Sequence, residues 1–150
     1  MSLGRNLAII PGGFEDATIH CYGRDRTFLK NRKGLVKYAL QHGYKLTPVY
    51  SFGESETYYT FTALLKQRLL LNQYSIPGVL FFGWWLVPLF PRIQSEILTY
   101  IGAPIQLPHI PEPTAAQVDE WHEKYMAALT ELFNKHKTEA GRPDAKLEIF

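Results

Sequence analysis

Leu7-Ala8-Ile9-Ile10-Pro11-Gly12-Gly13-Phe14-Glu15 is the stretch on which the fold turns. An apolar run stopped by Pro-Gly-Gly predicts a buried strand ending in a turn. A strand buried on both faces needs neighbours on both sides. This one follows Met1 almost at once, so the expectation is that polypeptide upstream of it is missing. Beyond the turn, residues 14–25 stay ambiguous, with Gly23 and Arg24-Asp25-Arg26 suggesting an exposed loop. From Arg32 the pattern becomes helical, with Leu35, Val36, Ala39 and Leu40 on one face and Gly43 placed to stop the helix. Leu46-Thr47-Pro48-Val49-Tyr50-Ser51-Phe52, closed by Gly53, reads as the next strand. Pro48 sits near its start, where a missing N–H is tolerable. Strand, turn, helix and strand over residues 7–52 is βαβ grammar, which predicts a parallel sheet with a helix on its face.

Farther on, Tyr58 to Tyr74 reads as an aromatic-rich helix dominated by Leu64, Leu65, Leu69 and Leu70. Val79–Phe82 and Glu96–Ile101 are strand candidates, the second stopped by Gly102-Ala103-Pro104. Four prolines between 104 and 113 make that stretch extended coil. The clearest helix then begins at Thr114, an N-cap with Gln117 three residues later to complete a capping box. Val118, Trp121, Tyr125, Leu129 and Leu132 form its apolar stripe, and Lys135, His136 and Lys137 complement the dipole at its end. Gly141 and Pro143 stop it, and the residues after them read as an exposed tail. The expected organisation is one portion of a domain over 1–138 and a tail over 139–150.

Composition narrows the function. The 150 residues are 46% hydrophobic, 14% aromatic and 20% charged, which supports a packed core and excludes a disordered chain. A net charge of +2, from 16 basic and 14 acidic residues, is too balanced for a nucleic-acid partner. One cysteine excludes a disulfide framework, a thiolate zinc cage and CxxC redox chemistry. No pair of histidines has metal-ligand spacing, so no metal is expected. Met1 to Asn6 contains no apolar core of signal-peptide length. The most apolar stretch, Ile76 to Phe90, is shorter than the roughly 20 residues that span a bilayer, and Pro77, Gly78, Gly83 and Pro88 interrupt it. It reads either as a buried strand followed by a loop or as an interfacial anchor with Trp84 and Trp85 at the headgroup boundary.

Several groups could carry chemistry. Gly12 and Gly13, directly after an apolar strand, let backbone N–H groups approach an anion or oxyanion closely. Glu15 would stand at the strand's C-terminal end, where open α/β sheets place ligands. A tight strand–helix turn is the alternative. The pattern is neither GxGxxG nor a P-loop, so nucleotide binding is unsupported. Lys30-Asn31-Arg32-Lys33-Gly34 puts cations at a helix start, where the dipole disfavours them. A coenzyme or lipid phosphate would suit that cluster, and a solvated basic face is the alternative. His20 and Asp25 have His-x4-Asp spacing, suited to a base oriented by a carboxylate. Cys21 beside His20 is a conceivable nucleophile, although neighbours on a strand point apart. His42, His109, His122 and His136 read as surface or hydrogen-bonded histidines.

In combination these pieces resemble the diacylglycerol acyltransferase type 2 family, which includes monoacylglycerol and wax-alcohol acyltransferases. The family's Gly-Gly-x-Glu block matches Gly12, Gly13 and Glu15. Its Arg-x-Gly-Phe block matches Arg32, Lys33 and Gly34, with Leu35 in place of Phe. Its Val-Pro-x-x-x-Phe-Gly block matches Pro48, Phe52 and Gly53, with Thr47 in place of Val and Glu54 following. Tyr100-Ile101-Gly102-Ala103-Pro104-Ile105 is similar to a late Val-Gly-x-Pro-Ile strand, and the helix through Tyr125, Phe133 and Lys135-His136-Lys137 to the family's C-terminus. The likeness covers nearly the whole chain. One departure is large: the family's upstream His-Pro-His-Gly block, which holds its general base, has no counterpart here. His20 and Asp25 use a spacing that glycerolipid acyltransferases use, but they follow the glycine block instead of preceding it.

The resemblance implies an α/β fold: an incomplete glycerolipid-acyltransferase-like sheet with flanking helices and a C-terminal amphipathic helix. It implies the C-terminal half of an acyl-CoA:diacylglycerol or monoacylglycerol O-acyltransferase at the cytosolic side of the endoplasmic reticulum membrane or a lipid droplet. Acyl-CoA and a neutral glycerolipid are substrates, and no cofactor is implied. Gly12, Gly13 and Glu15 would line the site. Arg32 and Lys33 would hold coenzyme A phosphates or shape the acceptor site, and Phe52, Gly53 and Glu54 would share the rim. With the base absent, Glu15, His20 and Asp25 are the remaining catalytic candidates. A phosphorylated acceptor would call for a Pro-Glu-Gly-Thr-Arg block, and Pro11-Gly12-Gly13-Phe14-Glu15 stands there instead. Such a fragment would be active only with its N-terminal half, and the isolated chain is expected to be inactive; an N-terminal half or a second copy is the expected protein partner. The alternative is a non-catalytic remnant that binds lipid or a protein partner.

Overall fold

The computed structural model describes residues 6–150; residues 1–5, on which the expectation about a leader falls, lie outside the described residues. In chain order the elements are α1 (Phe14–Ile19), β1 (Asp25–Thr27), α2 (Gly34–His42), β2 (Lys45–Leu46), β3 (Val49–Phe52), a 3-10 turn (Glu54–Glu56), β4 (Tyr59–Thr60), α3 (Leu65–Gln73), β5 (Phe81–Phe82), β6 (Leu98–Ile101), β7 (Ile105–Gln106), α4 (Ala115–His136) and β8 (Leu147–Ile149).

The centre is an antiparallel ribbon, β2–β3 against β7–β6. Pro48 and Pro104 interrupt it, because neither can donate to a ladder. Leu46 faces Ile105 and Val49 faces Ile101, so residues 47–48 oppose 102–104 and the register shifts by one in a bulge. Gly102 N–H donates to the Pro48 carbonyl at 2.8 Å. A Cβ on Gly102 would lie 2.9 Å from Pro48 Cγ, so this crossing requires glycine. The strand expected over 46–52 is therefore present in two pieces.

α2 and α4 cover one face of the ribbon. Val36, Ala39 and Leu40 of α2 pack with Leu107 and Val118, against Leu46 and Ile105. Tyr125 and Leu129 of α4 pack with Leu29, and Phe133 stacks on Phe52 with ring centroids 5.1 Å apart. The α4 capping box forms as expected, with Gln117 N–H donating to Thr114 Oγ1 at 3.3 Å. Gly43 ends α2 in the left-handed region at φ 62°.

The other layer joins α1 to α3. Arg68 and Asn72, not leucines, form the buried face of α3. Arg68 donates to the Thr18 and Gly78 carbonyls, both at 2.7 Å, and Asn72 Nδ2 donates to Thr18 Oγ1 at 2.9 Å. The buried guanidinium thus spends its donors on carbonyls that would otherwise lack partners.

Several expectations need correction. Leu7–Ile10 forms no strand, and Leu7 and Ile10 are 62% and 80% exposed. No strand among the described residues lies beside it, so neither its backbone nor its side chains are covered. The parallel βαβ unit over 7–52 is accordingly not formed: β3 pairs antiparallel with β6, and the chain's parallel pair is β1 with β8. The fold is mixed α/β, but separate two-stranded pairings stand where one sheet was expected. Helix over 58–74 begins only at Leu65, because Tyr59 and Thr60, good strand residues, pair with Phe82 and Phe81. Residues 147–149 are a docked strand rather than an exposed tail. They pair with β1, place Leu147 and Ile149 against the Leu29–Tyr125 cluster, and bring the Phe150 carbonyl to the Leu29 and Lys30 N–H groups.

Candidate functional site

The Gly12-Gly13 turn leads straight into α1. Gly13 takes φ 63°, the left-handed region that favours glycine, as the N-cap of that helix. Gly12 is buried against Asp16, and a Cβ there would fall 1.7 Å from Asp16 Oδ2. The glycine pair therefore lets α1 fold back closely enough for Asp16 to act. Its Oδ1 accepts from the Phe28 N–H at 2.5 Å and from Thr27 Oγ1 at 3.4 Å. Burial raises the Asp16 carboxyl above its ordinary range, and the Phe28 and Thr27 bonds and Arg32 oppose that shift.

Those bonds fix the loop that carries Arg32. Arg32 Nη2 lies 2.5 Å from Glu15 Oε2, and its guanidinium sits 5.6 Å from the Phe28 ring centroid. Arg32 Nε is buried without a partner. The Gly-Gly-x-Glu and Arg-x-Gly blocks, far apart in sequence, meet here. Lys33 turns the other way and pairs with Asp119 of α4 at 2.7 Å. Asp16 was not singled out by the sequence. Its only signal there is a second carboxylate beside Glu15.

Gly13, Asp16, Arg32, Lys33 and Glu54 all line one broad cavity of about 2180 Å³, together with His20, Asp25 and the exposed run from Leu7 to Ile10. Apolar surface predominates in its walls. Phe52 does not reach it, being 1% exposed in the aromatic core beside Phe133 and Tyr100. Gly53, at φ 90°, leaves the strand where a Cβ would meet the Glu96 carbonyl at 1.8 Å. Of the residues expected at the rim only Glu54 lines the cavity, because the alternation of β3 turns Phe52 inward; Gly12 and Glu15, also expected to line it, do not.

His20 and Asp25 both line the cavity but do not pair. His20 Nδ1 lies 3.4 Å from Thr60 Oγ1, and its Nε2 is buried without a partner. Burial lowers the His20 pKa, opposed by the nearby Glu54. Asp25 is buried and accepts from Tyr50 OH at 2.9 Å. Burial, then the Asp25 charge, pushes the Tyr50 phenol well above its usual range. Cys21 forms a bridge with Arg24 in a turn, and no general base is hydrogen-bonded to its sulfur. His122 is a satisfied core histidine, with Nε2–H donating to the Leu29 carbonyl at 3.1 Å. Among the described residues no three His, Cys, Asp or Glu side chains gather as a metal site.

Ile76 to Phe90 lies on the outside. Trp85, Leu89 and Phe90 are 76%, 71% and 60% exposed, while Trp84 is half-buried. The buried-strand reading of this stretch fails, since only Phe81–Phe82 pairs and both rings are exposed. No helix among the described residues is long and apolar enough to cross a membrane.

The site is thus an acid–guanidinium pair beside a large, mainly apolar cavity in a mixed α/β domain. The comparisons specify the class. The diacylglycerol acyltransferase family model matches residues 1–150, and the chain belongs to that family. It is 34% identical to diacylglycerol O-acyltransferase 2 of Homo sapiens, over 96% of this chain and 40% of that protein. Identity to the Xenopus laevis diacylglycerol O-acyltransferase 2 is 36%, over 94% of this chain and 42% of that protein. A third relative, the human diacylglycerol O-acyltransferase 2-like protein 6, is 35% identical, over 95% of this chain and 46% of its own length. The chain thus spans less than half the length of these relatives. No solved structure matches it.

Proposed function

We infer that this chain is the C-terminal part of an acyl-CoA:diacylglycerol (or monoacylglycerol) O-acyltransferase. The observation that carries this reading is the Glu15–Arg32 pair, which brings two family blocks together beside the cavity. In the reaction the acceptor hydroxyl attacks the thioester carbonyl. A base takes the hydroxyl proton, an oxyanion forms, and coenzyme A leaves as the thiol. By the resemblance the base comes from the His-Pro-His-Gly block upstream. The role of this chain is to shape the acyl and acceptor site. Arg32 and Lys33 can take coenzyme A phosphates by exchanging Glu15 and Asp119. Both pairs are partly solvent-exposed, and such pairs hold by about 1 kcal/mol or less.

The exposed ridge around Trp85 fits the surface of an endoplasmic reticulum membrane or lipid droplet. That same ridge favours the second reading, a non-catalytic chain that binds lipid. A chimera separates the two: the matched region of human diacylglycerol O-acyltransferase 2 is replaced by this chain, and triacylglycerol formation from oleoyl-CoA and diacylglycerol is measured. Transfer that depends on Glu15 and Arg32 supports the acyltransferase reading. A stable, membrane-bound chimera without transfer overturns it.

A further inference from the structure

We propose that the free edge formed by β2 and β3 is a docking site for an extended apolar segment of polypeptide, which adds to the ribbon as a further strand. β2 and β3 are paired on one side only, with β7 and β6, and no strand among the described residues occupies their other side. An unpaired strand presents a row of N–H and C=O groups that another chain can match. Lys45, Leu46, Val49, Tyr50 and Ser51 line the large cavity, and Val49 is 48% exposed. Leu7, Ile9 and Ile10 line the same cavity in an apolar run that no strand pairs with. An uncovered strand edge and an uncovered apolar run therefore border one space. β3, the longer of the two pieces, offers an edge about 13 Å long at roughly 3.3 Å per residue.

The chemistry of the edge selects the occupant. A lipid tail would cover the apolar side chains but leave the backbone polar groups unmatched inside a covered cavity, at a cost for each group. A polypeptide strand meets both needs, with main-chain hydrogen bonds for affinity and alternate side chains for fit. The relatives carry more than half of their length outside the matched region, since the chain spans 40% to 46% of them. By the resemblance that portion precedes the match. The occupant we assign is an extended segment from it. This rests on reading the chain as the C-terminal part of an acyltransferase, and it specifies how the two parts join.

The test uses the full 150-residue chain. It is co-expressed with the affinity-tagged portion of human diacylglycerol O-acyltransferase 2 that lies outside the matched region, and both are extracted in mild detergent. The chain is expected to co-purify, and amide exchange over 7–10 and 45–52 to slow by about tenfold or more, with α4 unchanged. Val49→Asp is expected to leave the circular dichroism and melting temperature of the chain alone unchanged while cutting capture by about tenfold. Failure to co-purify overturns the proposal. So does capture without slowed exchange at 45–52, or capture indifferent to Val49→Asp. Slowed exchange at 45–52 that grows with concentration in the chain alone assigns the edge to a second copy, which also overturns it. Assembly is read without turnover. An assembled complex that makes no triacylglycerol sinks the acyl-transfer reading and leaves the docking intact. A working chimera with fast exchange at 45–52 does the reverse.

Discussion

Glu15 Oε2 stands 2.5 Å from Arg32 Nη2, and this contact ties the glycine turn to the start of α2. Both side chains are partly exposed, so the pair contributes about 1 kcal/mol or less to folding. Its value therefore lies in positioning. Glu15→Ala and Arg32→Ala should each shift the denaturation midpoint little, yet reduce triacylglycerol formation by the chimera about tenfold or more. Arg32→Lys keeps the charge but loses the planar fork, and should restore little of that loss. Wild-type transfer rates in either alanine variant would exclude the pair from the site.

Gly12 packs against the Asp16 carboxylate, with no room for a Cβ. Gly12→Ala must push Asp16 off Phe28 and Thr27 and so loosen the Arg32 loop. The expected cost is about 1–3 kcal/mol, typical of overpacking. Asp16→Ala removes both the obstacle and the anchor, so the double variant should be less destabilised than the sum of the singles. Urea midpoints of the four proteins measure this. Strict additivity would show that the two residues act independently.

Local signals and long-range pairing were unequally legible in the sequence. Thr114 with Gln117, the stripe from Val118 to Leu132 and Gly43 all act within a few residues, and each is found where its spacing predicts. Strand existence near 46–52 and 98–101 was also readable. The pairing was not, because an apolar run shows burial without naming its neighbour. Leu7–Ile10 reads as buried only if a sheet surrounds it, and no strand among the described residues pairs with it. Leu147–Ile149 reads as tail because its partner, Asp25–Thr27, lies at the other end of the chain. At the candidate site, the motif spacing singled out Glu15 and Arg32. It did not reveal their contact, nor Asp16, whose role depends on where Phe28 N–H falls after folding.

Tyr50 OH donates to Asp25, which fixes Asp25 as a structural acceptor between β1 and β3. Tyr50→Phe leaves a buried carboxylate oxygen short of a donor and should cost about 1–3 kcal/mol. A His20–Asp25 relay would instead make Asp25 part of the chemistry. Asp25→Asn can still accept from Tyr50, so transfer by the chimera should persist. A fall of about a hundredfold or more at preserved stability would reinstate the relay.

Burial lowers the pKa of both His122 and His20 below their ordinary value of 6.5. The folded state then rejects a proton that the unfolded chain accepts. Their contribution to stability is complete above about pH 6.5 and declines as pH falls below it. Asp16 works in the opposite sense at lower pH, because burial raises its carboxyl pKa. Urea midpoints at pH 7.5 and 5.5 should differ, with the lower value at pH 5.5. His122→Asn keeps a donor toward the Leu29 carbonyl and should shrink that difference. An unchanged difference would place the proton uptake elsewhere.

Trp85 presents 76% of its surface to solvent beside the exposed Leu86, Leu89 and Phe90. A cluster of this kind on a membrane-active chain should partition into lipid with its rings at the headgroup level. Burying one such side chain is worth about 1.5–3 kcal/mol, so Trp85→Ala or Leu89→Ala should each weaken partitioning about tenfold or more. Trp84 is half-buried, and its replacement should matter less. Phosphatidylcholine vesicles loaded with a few per cent diacylglycerol provide the surface, and co-flotation gives the partition coefficient. The same vesicles should shift the tryptophan emission of the wild type to the blue, and much less so in Trp85→Ala. Equal flotation of wild type and both variants would remove this ridge as the membrane contact and leave its exposure to be explained by a protein neighbour.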